Sequence, residues 1–293
     1  MLKIIEKKKI WFSISIAIMI IGLCFMIFKG FNWGIDFKGG TKIVLAYEDG
    51  FDKEAVDAIV TKYAPDATTN TVTSSDGATQ FEIKSGNLDS ETFKTMFAEL
   101  KGNYGIKDDV VSQDQVGGSI GKELTQNSLI AIAISFAAML IYVAIRFEFK
   151  FGVAAIIALI HDVFITLSVY AIFGISINSP FIAAILTIIG YSINDTIVIF
   201  DRIRENLKTM RRKPIDEVLN TSITQTMSRS INTVLTVLIA IAAVFVFVPS
   251  IRSFSFPLLI GIGTGCFSSI CIASPIYSIL HKIEDKRKLT TTK

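Results

Sequence analysis

The sequence predicts an α-helical polytopic membrane protein that has six transmembrane helices and one α+β domain outside the membrane. Two observations support this prediction. First, 51% of the 293 residues are hydrophobic, and the mean hydropathy is +0.53. Second, six apolar runs reach the length of about 17–25 residues that crosses a hydrocarbon core of about 30 Å. These runs are residues 11–28, 128–145, 151–173, 181–200, 231–248 and 258–280.

The lysine and arginine residues predict the orientation of these helices, because short loops rich in basic residues stay in the cytoplasm. Basic residues cluster before the first run, between the second and third, after the fourth and at the C-terminus, whereas residues 174–180 contain none. We therefore expect both termini to be cytoplasmic. Residues 1–29 are expected to form the N-terminal segment and first helix, 126–281 the other five helices, and 282–293 a basic tail. The first run lacks a small-x-small cleavage pattern, which favours an uncleaved anchor over a signal peptide.

Residues 30–125, between the first two helices, are predicted to form a separate extracytoplasmic domain. They contain 9 basic and 16 acidic residues, a net charge of −7, while the rest of the chain carries +10. The basic residues therefore flank the membrane, which argues against a nucleic-acid-binding surface. All three cysteines, Cys24, Cys266 and Cys271, lie in apolar runs, so we expect no disulfide bond.

Alternating apolar and helical patterns predict the fold of this domain. The expected elements are a strand at 42–47, a helix at 52–63, strands at 69–73 and 79–84 around an Asp76-Gly77 turn, a helix at 90–100 and a strand at 109–113. The order β-α-β-β-α-β is that of a ferredoxin-like domain, in which two helices cover one face of an antiparallel sheet. The other face is then open to a partner.

The fourth apolar run contains a carboxylate, Asp195, several residues inside its end. A charge at the centre of a spanning helix costs about 2.5–3.5 kcal/mol on insertion scales. Such residues usually face the interior of a bundle and mark an ion or substrate pathway. Ser192, Asn194 and Thr196 are its neighbours, and we expect them to supply hydrogen bonds to it. Asp201, at the cytoplasmic edge beside two arginines, is expected to form a solvated salt bridge.

Arg229, at the start of the fifth run, is the nearest candidate counter-charge for Asp195. At 1.5 Å per residue, Asp195 lies about 21 Å and Arg229 about 28 Å from the extracytoplasmic ends of their runs. An arginine side chain covers this difference by snorkelling. The pair would allow a protonation switch, because a carboxylate beside arginine is ionised and takes up a proton when the arginine withdraws. A second interpretation stays open, in which Arg229 only anchors its helix among cytoplasmic headgroups.

The third and last runs also carry polar or small residues at depth. Asp162 lies near the middle of the third run. Two roles stay open for it: a structural hydrogen bond to a neighbouring helix, or a part in proton transfer. The adjacent His161 is expected to pack or to face headgroups. In the last run a stripe of small residues at four-residue spacing predicts close approach of another helix, the fourth, the fifth or one from another subunit. The stripe consists of Gly261, Gly265, Ser269 and Ala273.

Enzymatic chemistry is not indicated. The chain has two histidines, no metal-ligand spacing and no Ser/His/Asp order of the kind that hydrolases use. Residues 117–123 approach a phosphate-binding loop but lack its spacing and the Ser or Thr after the lysine. We expect no cofactor and no metal site; a carboxylate that couples to an ion gradient can use H⁺ or Na⁺.

Five short strings in chain order carry a resemblance to a known family. They are GIDFKGGT at 34–41, VGGSIGKEL at 116–124, ALIHDV at 158–163, the Asn194-Asp195 pair and QTMSRS at 225–230. Together they resemble the SecF members of the SecD/SecF family of protein-export membrane proteins, within the proton-driven RND superfamily. The resemblance extends from Trp11 to about Leu280.

The resemblance implies that the chain lies in the bacterial cytoplasmic membrane and works with SecD beside the SecYEG translocon, with YajC as a further partner. It implies that the proton-motive force is used to help unfolded preproteins cross and leave the membrane. Asp195 then carries the proton, Arg229 acts with it, Asp162 belongs to the same site and Gln225 is a supporting polar residue. The chain has no SecD half, so a separate SecD is expected to complete the bundle.

Two other functions stay open. The first is half of a small-molecule or lipid exporter of the same superfamily. Such an exporter would need large external domains with an apolar cleft, whereas the roughly 95 residues available here form one small acidic domain. A purely structural subunit of the translocon would tolerate loss of the Asp195 charge, which an Asp195→Asn variant would reveal.

Overall fold

The structure, a computed structural model, describes residues 2–47, 51–73, 79–101, 104, 106–248 and 251–291. Within these residues, six helices are long and apolar enough to cross a membrane by length and composition. Each overlaps one of the six predicted runs, so the predicted polytopic helical fold is confirmed. The candidate spans are Ile5–Phe28, Gly118–Val143, Phe149–Phe173, Ser179–Thr209, Ile215–Phe247 and Arg252–Asp285.

The chain alternates between membrane helices and one small sheet. The α-helices are α1 Lys8–Phe28, α2 Ile35–Lys38, α3 Lys53–Tyr63, α4 Ser90–Leu100, α5 Gly118–Arg146, α6 Phe149–Phe173, α7 Ser179–Thr209, α8 Ile215–Phe247, α9 Arg252–Ser268 and α10 Ser274–Thr291. A π-helical turn, Ser269–Ala273, joins α9 to α10 and makes the last span continuous.

Several helices extend well beyond the apolar runs. Helix α7 continues to Thr209, and α8 begins at Ile215, sixteen residues before the predicted start at 231. Hydropathy detects only the part of a helix that lies in hydrocarbon, whereas polar turns stay helical in water when they are capped or packed. The segment 251–257, expected to be a loop, is also partly helical, since α9 begins at Arg252 and contains Pro257.

The external domain is a four-stranded antiparallel sheet with two helices. The strands are β1 Gly40–Tyr47, β2 Thr68–Thr73, β3 Thr79–Ser85 and β4 Ile106–Val116, in the spatial order β2-β3-β1-β4. The predicted order β-α-β-β-α-β is therefore present, although the Asp76-Gly77 turn falls outside the described residues. Alternate residues of β1 and β3 pack against α3 and α4 in a separate core.

Each helix of this domain begins with an aspartate cap. Asp52 accepts a hydrogen bond from the Ala55 amide (3.1 Å), and Asp89 accepts one from the Thr92 amide (2.7 Å). The Thr92 hydrogen bond holds the pKa of the Asp89 carboxyl below its usual value. These caps fix where α3 and α4 start and thereby place their apolar faces on the sheet.

The membrane helices form an inner and an outer group. About half or more of the apolar window is buried in α6, in α7 and in the last span, compared with 11% in α1, 6% in α8 and none in α5. The inner helices therefore form the core of the bundle, while α5 and α8 leave broad apolar surfaces uncovered.

The small-residue stripe of the last span lies against α7. A Cβ atom placed on Gly261 would come within 2.2 Å of the Ile188 side chain, and one on Gly265 within 3.1 Å of Ser192 Cβ. Of the partners left open by the sequence, the fourth span is the one that fills this groove. The absence of a side chain brings the two backbones close enough for hydroxyl groups to bond between the helices.

Candidate functional site

Asp162 lies at the centre of the inner helices and is completely buried. Its Oδ2 accepts hydrogen bonds from Ser192 Oγ of α7 (2.6 Å) and from Ser268 Oγ of α9 (2.7 Å). Its Oδ1 lies 2.9 Å from Nδ1 of His161. The carboxylate thus joins three helices, and each oxygen has a polar partner, as a buried carboxylate requires.

His161 extends this network to the first span. It is 6% exposed, and its Nε2 lies 3.0 Å from Ser15 Oγ of α1. The sequence favoured packing or a headgroup contact for His161, because consecutive residues point about 100° apart on a helix. In the structure its ring lies against Phe267 and also turns back to Asp162, so His161 packs and belongs to the same polar network.

The prediction that Ser192 and Thr196 donate hydrogen bonds to Asp195 is wrong. Ser192 points towards α6 and donates to Asp162. Thr196 donates to the Ser192 carbonyl (3.1 Å) and shares a hydrogen bond with Ser269 Oγ of the π-helical turn (2.7 Å). Spacing along one helix could not decide this, because it does not show which neighbouring helix each hydroxyl faces.

Asp195 occupies a second position, between α7, α8 and α9. It is 7% exposed, and its Oδ2 is buried without a hydrogen-bond partner in the described part of the chain. The Ser230 side chain of α8 interacts with it, and the Ser230 hydroxyl is also buried, with no hydrogen-bond partner among the residues that the structure describes. An ionised carboxylate here needs a counter-charge or water, and otherwise carries a proton.

A small cavity adjoins Asp195. Its volume is about 20 Å³, and its lining includes Asn194, Thr233 and Cys266. A cavity of roughly 10–15 Å³ accommodates one water molecule when polar partners are present. The space beside Asp195 is therefore large enough for one water. Asn194 contributes to the cavity wall rather than to a hydrogen bond with Asp195.

Arg229 and Gln225 lie away from the Asp195 carboxylate. In the described part of the chain no ion pair joins Arg229 to Asp195, and Arg229 is exposed. Gln225 accepts hydrogen bonds from Arg202 Nε (2.7 Å) and from Asn206 Nδ2 (2.8 Å), both in the last turns of α7. Two residues of α8 lie near Asp195: Ser230, the immediate neighbour of Arg229, interacts with it, and Thr233 lines the cavity beside it.

Asp201 behaves as expected for a residue at the membrane edge. It pairs with Arg204 (3.0 Å) and lies 3.5 Å from Arg146, and its side chain is 37% exposed. Residues that the sequence analysis did not single out are Ser15, Ser230 and Ser268. The signal that could have identified these serines is a hydroxyl within an apolar run, since a polar group in a membrane helix needs a hydrogen-bond partner.

The described residues form six candidate membrane helices around buried carboxylates, with an α+β domain between the first two, and this arrangement defines a multi-pass integral membrane protein. Residues 95–283 match the family described as protein export membrane protein SecD/SecF, C-terminal, and residues 25–50 match the SecD/SecF GG motif. The chain therefore belongs to the SecD/SecF family of protein export membrane proteins, as a SecF-type member.

Individual relatives agree with this assignment. The chain is 39% identical to protein translocase subunit SecF of Sebaldella termitidis, over 98% of this chain and 94% of that one. It is 39% identical to SecF of Haemophilus influenzae, over 92% of this chain and 83% of that one. It is also 39% identical to the SecDF subunit of Bacillus subtilis, of which it spans 37%.

A solved structure shares the fold. The crystal structure of SecDF from Thermus thermophilus, described as a translocon-associated membrane protein, superimposes with a TM-score of 0.85 at 33% identity. The match covers 96% of this chain and 39% of that longer chain. A role in protein transport across a membrane follows from these relatives.

Proposed function

We propose that this protein is a SecF-type subunit that works with a SecD-type partner and uses the proton-motive force to promote preprotein translocation through SecYEG and release from it. The observation that carries the proposal is Asp195: a carboxylate within a membrane helix, with an unpartnered oxygen beside a water-sized cavity. Each charge that crosses the membrane supplies about 2.3 kcal/mol per 100 mV. This is enough to bias a bundle between two arrangements.

Helix α8 is the element that responds to the proton. Ser230 faces Asp195, and Arg229 precedes it by one residue, which is about 100° around the helix axis. Rotation of α8, or extension of the arginine side chain, brings the guanidinium to an ionised Asp195. Protonation of Asp195 removes that attraction and releases Arg229. In this proposal an arrangement with Arg229 exposed and unpaired with Asp195 is the released state.

Asp162 plays a different part in this proposal. Its oxygens are already satisfied by Ser192, Ser268 and His161, so it holds α6, α7 and α9 in register while Asp195 titrates. The coupling ion in this proposal is H⁺, and Na⁺ is the alternative. Experiments with separate H⁺ and Na⁺ gradients distinguish the two ions. No covalent chemistry and no cofactor enter this mechanism.

The partner that completes the bundle is a SecD-type subunit in the same bacterial cytoplasmic membrane, with both termini of this chain in the cytoplasm. Two observations support it. Homologues of the SecDF type are more than twice as long as this chain. The apolar surfaces of α5 and α8 are uncovered within this chain. The exposed Arg229 lies on one of these helices, where a second subunit would shield it from lipid.

The proposal is tested with Asp195→Asn in membrane vesicles that contain the complete export complex. We expect the export of a secreted reporter to lose its dependence on the proton-motive force, because the amide cannot gain or lose the proton. The matched control is Asp201→Asn, which removes a carboxylate from the same helix at a solvated ion pair and should leave export unchanged.

An Asp195→Asn variant that assembles normally and still shows full stimulation by the proton gradient would contradict the proposal. It would favour a purely structural subunit. If the unaltered protein responded to a Na⁺ gradient instead of a H⁺ gradient and Asp195→Asn abolished that response, the mechanism would stand with Na⁺ as the coupling ion.

A further inference from the structure

A short segment that precedes the sheet connects the external domain to the helix that carries Asp195. This segment, residues 32–40, follows the first span and is called the glycine segment below. It includes the short helix α2, which no periodicity in the sequence predicted. Asp36 lies in the first turn of α2 and takes no part in the proposed proton site.

Asp36 forms the side-chain connection. Its Oδ2 accepts hydrogen bonds from the Ser179 amide (2.8 Å) and from Ser179 Oγ (2.7 Å). Ser179 is the first residue of α7, so Asp36 satisfies a backbone amide that a helix start leaves without an intrahelical partner. A carboxylate at this position is further stabilised by the helix dipole.

Main-chain hydrogen bonds reinforce the connection. The Gly34 amide donates to the Ile177 carbonyl (2.7 Å), and the Ile177 amide donates to the Asn32 carbonyl (2.7 Å). A Cβ on Gly34 would lie 2.9 Å from the Ile177 carbonyl oxygen, so this approach needs glycine. The glycine segment is thus held against the residues that lead into α7.

The other end of the segment leads directly into the sheet. Gly39 and Gly40 have φ angles of +79° and +140°, and Gly40 is the first residue of β1. Strand β1 is central in the sheet, since it pairs with both β3 and β4. Only three residues separate Asp36 from β1, so movement of Asp36 is carried to the whole domain.

The same helix carries the proton site. Ser179 and Asp195 are sixteen residues apart in the continuous helix α7, which is about 24 Å at 1.5 Å per residue. A helix of this kind moves as a rigid element. A shift of α7 near Asp195 therefore displaces Ser179, and Asp36 with it.

We propose that Asp36 is the positioning residue through which displacement of α7 is transmitted to the external domain. This inference rests on the proposed function. Asp36 takes no part in proton transfer; it keeps the domain and the helix moving together. The charge is less important than the acceptor, because two donors on Ser179 converge on one oxygen.

The test uses Asp36→Ala with Asp36→Asn as the conservative variant, in the complete complex in vesicles. A fluorescent donor and acceptor are attached to cysteines that replace Lys94 of α4 and Lys9 of α1, both exposed, after replacement of the three native cysteines. Helix α1 serves as the reference because it is separate from α7, so movement of the domain with α7 changes the distance between the labels. The change in transfer efficiency on imposing a proton gradient reports domain movement. An infrared difference band of the Asp195 carboxyl reports proton uptake.

We expect Asp36→Ala to retain the Asp195 infrared band and to lose the gradient-driven change in transfer efficiency. Gradient-driven export should fall about tenfold, which is the effect expected from the loss of one charge-assisted hydrogen bond. Asp36→Asn, which keeps an acceptor oxygen, should restore most of both. Asp89→Ala is the matched control, because it removes the aspartate cap of α4 within the same domain and should leave all three readouts as in the unaltered protein.

An Asp36→Ala variant with an unaltered transfer change would overturn the inference. So would loss of the infrared band together with the transfer change, since that would make Asp36 a general structural residue. Failure of the proposed function would give a different result. The unaltered protein would then show no gradient-driven change in transfer efficiency, and the Asp195→Asn variant would support normal export of the reporter.

Discussion

At the scale of single residues, the two buried carboxylates differ in how completely they are satisfied. Asp162 has a partner on each oxygen, whereas Asp195 has a buried oxygen with no partner among the described residues. An unsatisfied buried polar group in a native protein calls for an explanation, such as a functional role or an unseen water. The contrast supports a holding role for Asp162 and a titrating role for Asp195.

Ser268→Ala tests the holding role. Removal of the Ser268 hydroxyl leaves Asp162 Oδ2 with Ser192 as its remaining donor. Loss of a hydrogen bond to a buried carboxylate typically lowers the free energy of unfolding by about 1–3 kcal/mol. We expect a lower midpoint of unfolding in detergent. Ser255→Ala is the control on the same helix, since the buried Ser255 hydroxyl donates to a backbone carbonyl of its own helix turn, that of Ile251 (3.1 Å). Equal losses in the two variants would show that Ser268 does not act through Asp162.

At the scale of helices, the approach of α9 to α7 determines which polar groups meet. Gly261 and Gly265 allow backbone contact, and this contact brings Ser268 to Asp162 and Ser269 to Thr196. The π-helical turn begins at Ser269, and Ser274 Oγ donates to the Ser269 carbonyl five residues earlier (3.0 Å). Such turns are frequent at functional sites because they re-aim side chains within a helix.

Gly261→Ala tests this packing. The added methyl would overlap the Ile188 side chain, whose Cδ1 and Cγ1 lie 2.2 and 2.4 Å from the position of its carbon. We expect a loss of about 1–3 kcal/mol, typical of overpacking, measured as the free energy of unfolding in detergent. Gly263→Ala provides the control, because nothing lies within 4 Å of a Cβ at that position. A Gly261→Ala variant as stable as Gly263→Ala would disagree with the close approach of α7 and α9.

At the scale of the whole molecule, the bundle is unevenly covered. Ile134 of α5 and Ile239 of α8 are 63% and 61% exposed, and no part of the α5 apolar window is buried. Exposed apolar side chains in membrane helices contact lipid or another subunit. The longer SecDF relatives contain additional chain of more than this protein's own length, which supports a second subunit on these faces.

Photo-crosslinking tests this surface. A photoreactive amino acid at Ile134 or at Ile239 should form a crosslink to a SecD-type subunit in native membranes, detected as a heavier band that contains both proteins. Cells that lack the SecD-type subunit provide the control, in which the band should be absent. Crosslinks to lipid alone at both positions, in membranes that contain the partner, would rule out these faces as its binding surface.

The sequence by itself determined the number of membrane spans, the position of the external domain, the order of its strands and helices, and the carboxylates at membrane depth. These features depend on local information, because hydropathy over about 20 residues and the periodicity of a strand or helix are properties of the chain itself. Charge and depth also marked Arg229 and Asp162 as candidates, and the family resemblance implied a part in proton coupling for both.

Only the tertiary structure decided which groups meet. It assigned Ser192 to Asp162 rather than Asp195, placed Ser230 rather than Arg229 towards Asp195, and brought Asp36 to the start of α7. Each of these depends on the rotation and spacing of helices far apart in sequence. A rotation of about 100° exchanges one residue for its neighbour, and no pattern within a single helix encodes that angle.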